Sequence, residues 1–549
     1  MSEQTTAPLV IRSLAVEYQV DRVRVPALDD VSFTIGRGEF AAVVGESGSG
    51  KSTLVGAVTG LLPPEARITG GEIALSGIET TALRERAWSR LRGRRVGLIP
   101  QDPGQSLTPV TTIGRQIDEI AAIRGERLGR AERRARAIEL LEAAEVSRAP
   151  QRLDQYPHEL SGGLKQRILI AIAFGLNPEL LVADEPTSAL DVTVQKQILR
   201  TFDRLAADHG TSVLFVTHDL AVATDHASRV LVMRGGRLVE DAPVDDVLRA
   251  PKTEYTAELL HHARATESTA APRVDDGEPL LEVRNLTKVF AGAGGGAPHT
   301  AVDDVSFTLG RGETLALVGE SGSGKSTTAR MILRLEEPTG GSVLFSRDDV
   351  TTVSGRRRRA YWRDVQMVYQ NPDAALDPRW TVQRIVAEPL RTAGALDRRG
   401  IQDRVAAVLD AVALPPGTAA KRPGALSGGQ RQRVAIARAL APESSVVVLD
   451  EALSALDVIT QESVIDLLAR VQGTLGVSFV FISHDLSVVR RIAHRIVVMQ
   501  DGRVVEQGET AQIFDAPQTE YVRALIAAVP GARRLHLTSA DTDQEVTPS

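Results

Sequence analysis

The stretch Gly45-Glu46-Ser47-Gly48-Ser49-Gly50-Lys51-Ser52-Thr53 recurs unchanged as Gly319-Glu320-Ser321-Gly322-Ser323-Gly324-Lys325-Ser326-Thr327. Both copies have the spacing G-x-x-x-x-G-K-[ST]. Glycines at these positions let backbone N–H groups turn toward a phosphate without side-chain clash, and a helix opening at the lysine adds the partial positive charge of its N-terminus. Lys51 and Lys325 suit the β- and γ-phosphates, while the Ser52 and Ser326 hydroxyls suit Mg²⁺. Two copies imply two nucleotide-binding domains, with ATP as the nucleotide.

Other residue types complete a hydrolytic set in each half. Asp184-Glu185 and Asp450-Glu451 follow the apolar runs Leu180–Ala183 and Val446–Leu449, so each acidic pair is expected at a strand end. The aspartate can bind Mg²⁺, and the glutamate can orient and deprotonate a water near the γ-phosphate. Ser188-Ala189-Leu190-Asp191 and Ser454-Ala455-Leu456-Asp457 follow. His218 and His484 stand at the same distance beyond these aspartates and suit a γ-phosphate sensor. Gln101 and Gln370 are neutral, so either can approach and leave Mg²⁺ or the water as the phosphate departs. Ser161-Gly162-Gly163 and Ser427-Gly428-Gly429 each place a small turn ahead of a helix, a second phosphate-grade N-terminus. Tyr18 and Phe290 could stack on adenine, or serve only as aromatics in a half-buried strand.

These residues must be held by two copies of one fold. Lys51 pairs with Lys325 and Gln101 with Gln370; from Ser161 and Ser427 onward to Tyr255 and Tyr521 the register is constant. Apolar runs such as Ala41–Val44 and Leu315–Val318 lead into the glycine loops as buried parallel strands do. Residues 115–144 and 384–413 are rich in Ala, Leu, Arg and Glu and predict a helical subdomain. The expected organisation is α/β: domain one at 1–262, a flexible linker at 263–279, domain two at 280–530 and a polar tail at 531–549. Residues 291–298, rich in glycine, predict a surface loop inside domain two.

Bulk composition narrows the class. With 549 residues the chain exceeds one hydrophobic core. A net charge of −6 argues against nucleic acid as a partner, which needs a concentrated positive field. The run Arg356-Arg357-Arg358-Arg359 reads as a solvated helix face. There is no cysteine, which excludes disulfides and thiolate metal sites and suits a reducing compartment. No signal-like start is evident, and no uncharged apolar stretch reaches the roughly 18 residues that span a bilayer. Any work at a membrane would need a segment from another chain.

In type and order these motifs resemble those of the ATP-binding-cassette ATPases: Walker A, Q-loop, signature, Walker B, D-loop and H-loop, in both halves. The resemblance covers nearly all of the chain except linker and tail. Gln101-Asp102-Pro103, Asp377-Pro378-Arg379, Tyr156-Pro157-His158-Glu159-Leu160-Ser161, Ala250-Pro251-Lys252-Thr253-Glu254-Tyr255-Thr256 and Ala516-Pro517-Gln518-Thr519-Glu520-Tyr521 narrow it to the dipeptide, oligopeptide and nickel importer ATPases. The resemblance implies two P-loop NTPase domains, each a RecA-like core with a helical subdomain. It implies two head-to-tail composite sites: Lys51, Asp184, Glu185 and His218 with Ser427, and Lys325, Asp450, Glu451 and His484 with Ser161. It further implies two transmembrane permease subunits, an extracytoplasmic substrate-binding protein and a peripheral position on the cytoplasmic face of the cell membrane. Membrane contact would run only through the permeases, and di- or oligopeptides are the expected cargo.

Three departures stand out. Leu164 replaces a glutamine, Ala452-Leu453 replaces Pro186-Thr187, and Arg422-Pro423-Gly424-Ala425 replaces Tyr156–Glu159. None removes a catalytic group, so both sites are expected to hydrolyse ATP. The rival is a soluble tandem-cassette ATPase acting on ribosomes. Such factors carry a long basic helical linker, whereas this linker is short and holds Pro272, Asp275, Asp276 and Pro279.

Overall fold

The computed structural model describes residues 7–20, 23–187, 190–264, 277–291, 298–394, 396–454 and 456–531. It divides into two compact units, one gathering most of the chain up to Arg264, the other most of it from there to Val529. Most of the expected linker and tail, the glycine-rich residues 292–297, and Ser188, Ala189 and Ala455 lie outside the described residues.

Each unit is built on a six-stranded sheet. In the first the order is Arg237–Pro243, Arg229–Arg234, Phe40–Val44, Ser212–Thr217, Leu180–Asp184, Val96–Ile99. All neighbours are parallel except the antiparallel first pair. The second unit repeats the order with Arg503–Glu509, Arg495–Gln500, Thr314–Val318, Ser478–Ile482, Val446–Asp450 and Val365–Val368. Parallel strands covered on both faces need continuous apolar runs, and Ser212–Thr217 and Val446–Asp450 are buried along their whole lengths.

A four-stranded antiparallel sheet accompanies each core, ordered Val23–Ile35, Leu9–Val20, Ala66–Leu75, Ile78–Glu79 in the first unit. Its second strand is kinked where Ser13, at φ 44°, shifts the register between Ile11 and Leu14. Asn285, at φ 47°, does the same in the second unit. Both N–H groups donate to a serine hydroxyl of the neighbouring strand at 2.7 Å. The repeat therefore extends to local backbone conformations that the sequence does not advertise.

The helical stretches expected at 115–144 and 384–413 each resolve into two helices. Ile113–Arg124 stops at Gly125 (φ 74°) before Arg130–Ala143, and Val382–Ala393 stops at Gly394 (φ 66°) before Arg398–Ala411. In the first unit Ile117, Ile120, Leu141 and Ile168 form the shared core with Gly162–Gly175. The helix Glu254–Arg264 closes this unit's described residues 190–264, and the Arg264 guanidinium donates to the Leu248 carbonyl at 2.7 Å, tying the last turn down.

Candidate nucleotide sites

Strand order brings the chemistry together. In the first unit the strands Phe40–Val44, Ser212–Thr217, Leu180–Asp184 and Val96–Ile99 lie side by side. Their carboxyl ends deliver, in turn, the glycine loop, His218, Asp184-Glu185 and Gln101. This is where an open α/β sheet places its ligand site. The second unit delivers Gly319–Gly324, His484, Asp450-Glu451 and Gln370 in the same way.

The glycine loops turn through Gly48 (φ 83°) and Gly50 (φ 102°), and through Gly322 (φ 84°) and Gly324 (φ 99°), into the helices Lys51–Thr59 and Lys325–Ile332. Gly45 is compulsory for a separate reason. A Cβ there would lie 2.2 Å from the Met233 carbonyl oxygen, and at Gly319 it would lie 2.1 Å from that of Met499. Lys51 is 6% exposed and its Nζ donates to the Gly45 and Glu46 carbonyls at 2.6 and 2.8 Å. Lys325 does the same to Gly319 and Glu320, both at 2.7 Å. Burial pushes the Lys325 ammonium's pKa down against the nearby carboxylates Glu451 and Asp450.

The glutamates carry the most distinctive geometry. Glu185 and Glu451 sit in the left-handed region at φ 44° and 47°, which non-glycine residues seldom occupy. Their N–H groups donate to the Val216 and Ile482 carbonyls at 2.8 and 3.0 Å, so the neighbouring strand holds the turn. Gln101 Nε2 donates to Glu185 Oε2 at 2.9 Å, and His218 Nδ1 lies 3.2 Å from the same oxygen. Gln370 donates to Glu451 at 2.6 Å, with His484 Nδ1 at 3.5 Å. Burial raises the Glu185 pKa, but the His218 hydrogen bond and charge, with Lys51 and Gln101, outweigh it and hold the carboxyl below its ordinary range. The neighbouring Asp184 is pushed up to about 6 by burial and by the Glu185 charge. Asp450 is raised as well, chiefly by burial, although Ser326 Oγ donates to it at 3.2 Å.

The residues fit a magnesium nucleotide. Neither loop helix receives a side-chain cap, and neither has an acidic residue in its first turn, which leaves its N-terminus suited to an anion. A hydroxyl, a buried carboxylate of raised pKa and a glutamine oxygen form a hard oxygen donor set of the kind Mg²⁺ takes. In the second unit two of these already meet, at Ser326 and Asp450.

Ser161 and Ser427 cap the helices Gly162–Gly175 and Gly428–Leu440, accepting the N–H groups of Leu164 and Gln430 at 3.4 and 3.3 Å. Packing explains the second glycine of each turn. A Cβ on Gly163 would meet Val194 Cγ1 at 2.8 Å, and one on Gly429 would meet Thr460 Cγ2 at 2.5 Å. The Tyr18 hydroxyl lies 3.4 Å from Thr53 Oγ1, beside the loop helix. Phe290 is 38% exposed and carries the Lys288 ammonium 5.0 Å over its ring centroid. One pair went unassigned in the sequence: the Tyr255 hydroxyl accepts the Glu46 N–H at 2.9 Å, and Tyr521 accepts that of Glu320 at 3.2 Å. The available signal was their equal place in the twice-occurring Thr-Glu-Tyr.

Fold and site together define a P-loop nucleoside triphosphatase with two nucleotide cassettes. The family description "ABC transporter" matches residues 28–188 and 302–454, and "Oligopeptide/dipeptide transporter, C-terminal region" matches 505–546. The chain is similar to the oligopeptide transport ATP-binding protein OppD of Mycobacterium tuberculosis, at 39% identity over 95% of this chain and 98% of that protein. It is also similar to the glutathione import ATP-binding protein GsiA of Escherichia coli (strain K12), at 40% identity over 95% of this chain and 90% of that protein. Among solved structures, a dimeric bacterial ABC transporter cassette aligns at TM-score 0.40 and 29% identity, covering 43% of this chain and 98% of that one. The chain belongs to the ATP-binding proteins of the ABC transporters and is an ABC-type ATPase. Among the described residues no helix is long and apolar enough to cross a membrane.

Proposed function

We propose that the two cassettes bind two ATP molecules head to tail and that both sites hydrolyse them to drive import of short peptides. The observation that supports this best is the doubled constellation. In each unit one carboxylate in a left-handed turn, Glu185 or Glu451, is held by a glutamine and a histidine beside a glycine loop.

Glu185 and Glu451 orient the attacking water and take its proton. Lys51 and Lys325 leave the loop carbonyls for the phosphates. Ser427 would complete the first site and Ser161 the second. Ser52, Gln101 and Asp184, and Ser326, Gln370 and Asp450, would hold Mg²⁺, which when bound offsets phosphate charge. His218 and His484 keep each glutamate ionised and register the γ-phosphate. Similarity to the oligopeptide transport protein OppD and the glutathione import protein GsiA supports short peptides as cargo. Two permease subunits would supply the membrane path and an extracytoplasmic binding protein the substrate, with this chain peripheral on the cytoplasmic face. Closing and opening of the cassettes would rock the permeases between inward and outward states.

The test is Glu185→Gln and Glu451→Gln, made separately in the assembled transporter. Each should lower steady-state ATP hydrolysis, and the double variant should abolish it. Full activity in either single variant would remove that site from the reading.

A further inference from the structure

We propose that Tyr255 and Tyr521 are positioning residues for nucleotide binding: each clamps one peptide plane of its glycine loop and links that loop to the segment following the core sheet. This rests on the ATP reading of the loops and goes beyond it.

The peptide between Gly45 and Glu46 is held on both sides. Its carbonyl accepts Lys51 Nζ at 2.6 Å, and its N–H donates to the Tyr255 hydroxyl at 2.9 Å. In the second unit Lys325 holds the Gly319 carbonyl at 2.7 Å and Tyr521 the Glu320 N–H at 3.2 Å. A lysine that moves to a phosphate releases its side of the plane. The tyrosine then remains as the contact that keeps the peptide from rotating, since the glycine on its N-terminal side offers little resistance. A neutral phenol suits this task, since it accepts from the N–H without competing for the anion. Burial pushes the Tyr521 phenol up to about 12, so it stays neutral.

The tyrosines are themselves anchored. Tyr255 is buried in the first turn of Glu254–Arg264, with the Arg234 guanidinium 4.6 Å over its ring. Ahead of it, the buried carboxylate of Glu240, on the last sheet strand, accepts the N–H groups of Lys252 and Thr253 at 3.0 and 3.3 Å. Glu506 does the same for Gln518 and Thr519 at 2.8 and 2.9 Å. A carboxylate, an Ala-Pro-x-Thr-Glu-Tyr turn and a phosphate loop are thus joined in series, twice. Through this series the helices Glu254–Arg264 and Glu520–Ile526 sense whether the loop is filled.

The test uses Tyr255→Phe and Tyr521→Phe in the full transporter, which keep the ring and delete only the hydroxyl. Loss of one net neutral hydrogen bond predicts a roughly 3- to 10-fold rise in KM for ATP in each variant, with kcat within about 2-fold of wild type. A packing role would leave the Phe variants at wild-type KM, and that result overturns the proposal. A second measurement needs no variant: hydrogen exchange of the unaltered protein with and without ATP. Protection should change in 254–264 and 520–526 on nucleotide addition, and unchanged exchange there counts against the link. If the unaltered protein fails to hydrolyse ATP at all, the underlying function fails instead, so the two outcomes separate.

Discussion

The side-chain amide of Gln101 donates to the carboxylate of Glu185 at 2.9 Å, across two adjacent strand ends. A neutral donor favours the ionised carboxylate without adding charge beside it. Replacing it by a like charge should do the opposite. Gln101→Glu will raise the Glu185 pKa by repulsion, so the acid limb of the kcat–pH profile moves to higher pH. Gln101→Ala removes only the hydrogen bond and should move that limb less. Equal profiles for the two variants would show that the amide does not govern the base.

His218 and Glu185 form the second contact of that carboxylate, and their protonation sets a pH window for stability. Burial lowers the His218 pKa, but the Glu185 hydrogen bond and charge outweigh it and raise the group above 6.5. Its contribution is therefore complete below 6.5 and lost as pH rises through the raised value. Glu185 is lowered below 4.5, so its contribution is present above 4.5 and lost as pH falls through the lowered value. Both are present together between about 4.5 and 6.5. His218→Ala should thus lower the melting temperature most near pH 5.5 and least near pH 9. A pH-independent loss would point to packing alone.

Asp184 has the reverse sign. Its pKa is raised to about 6 by burial and by Glu185, so its contribution is complete below its ordinary value of 3.8 and lost as pH rises through about 6. At pH 8 without nucleotide the charged aspartate works against the fold. Asp184→Asn should then raise the melting temperature at pH 8 by a few degrees, with no gain at pH 4. The same variant should lose the further stabilisation that Mg²⁺ with ATP gives the unaltered chain. A drop at pH 8 would overturn the sign.

Much of this was legible because the phosphate loop is a contiguous motif whose chemistry follows from residue type. The pairing of Gln101 with Glu185 was not. It depends on strand order, which places the 96–99 strand next to 180–184 rather than next to 40–44. The left-handed turn at Glu185 and Glu451 was equally hidden, since glutamate gives no propensity signal for positive φ. Tyr255 and Tyr521 were visible only as members of a repeated segment, because their partners are backbone N–H groups far away in sequence. Gly163 and Gly429 looked like phosphate-loop glycines, yet a Cβ at either would crowd the Val194 or Thr460 side chain.

The two serine turns differ in a measurable way. Gln430 closes a reciprocal cap: its N–H donates to Ser427 Oγ at 3.3 Å, and its side-chain oxygen accepts the Ser427 N–H at 3.2 Å. Leu164 stands at the matching place and cannot return that bond; it packs instead against the helical core around Ile168. Gln430→Leu should therefore cost about 0.5–1 kcal/mol by removing half of a capping box. Leu164→Gln should bring no matching gain, because the apolar contact it gives up offsets the new hydrogen bond. Denaturant titration of both variants decides the matter. A clear stabilisation by Leu164→Gln would show that the leucine contributes nothing to packing, and that its presence reflects some demand other than the stability of the first unit.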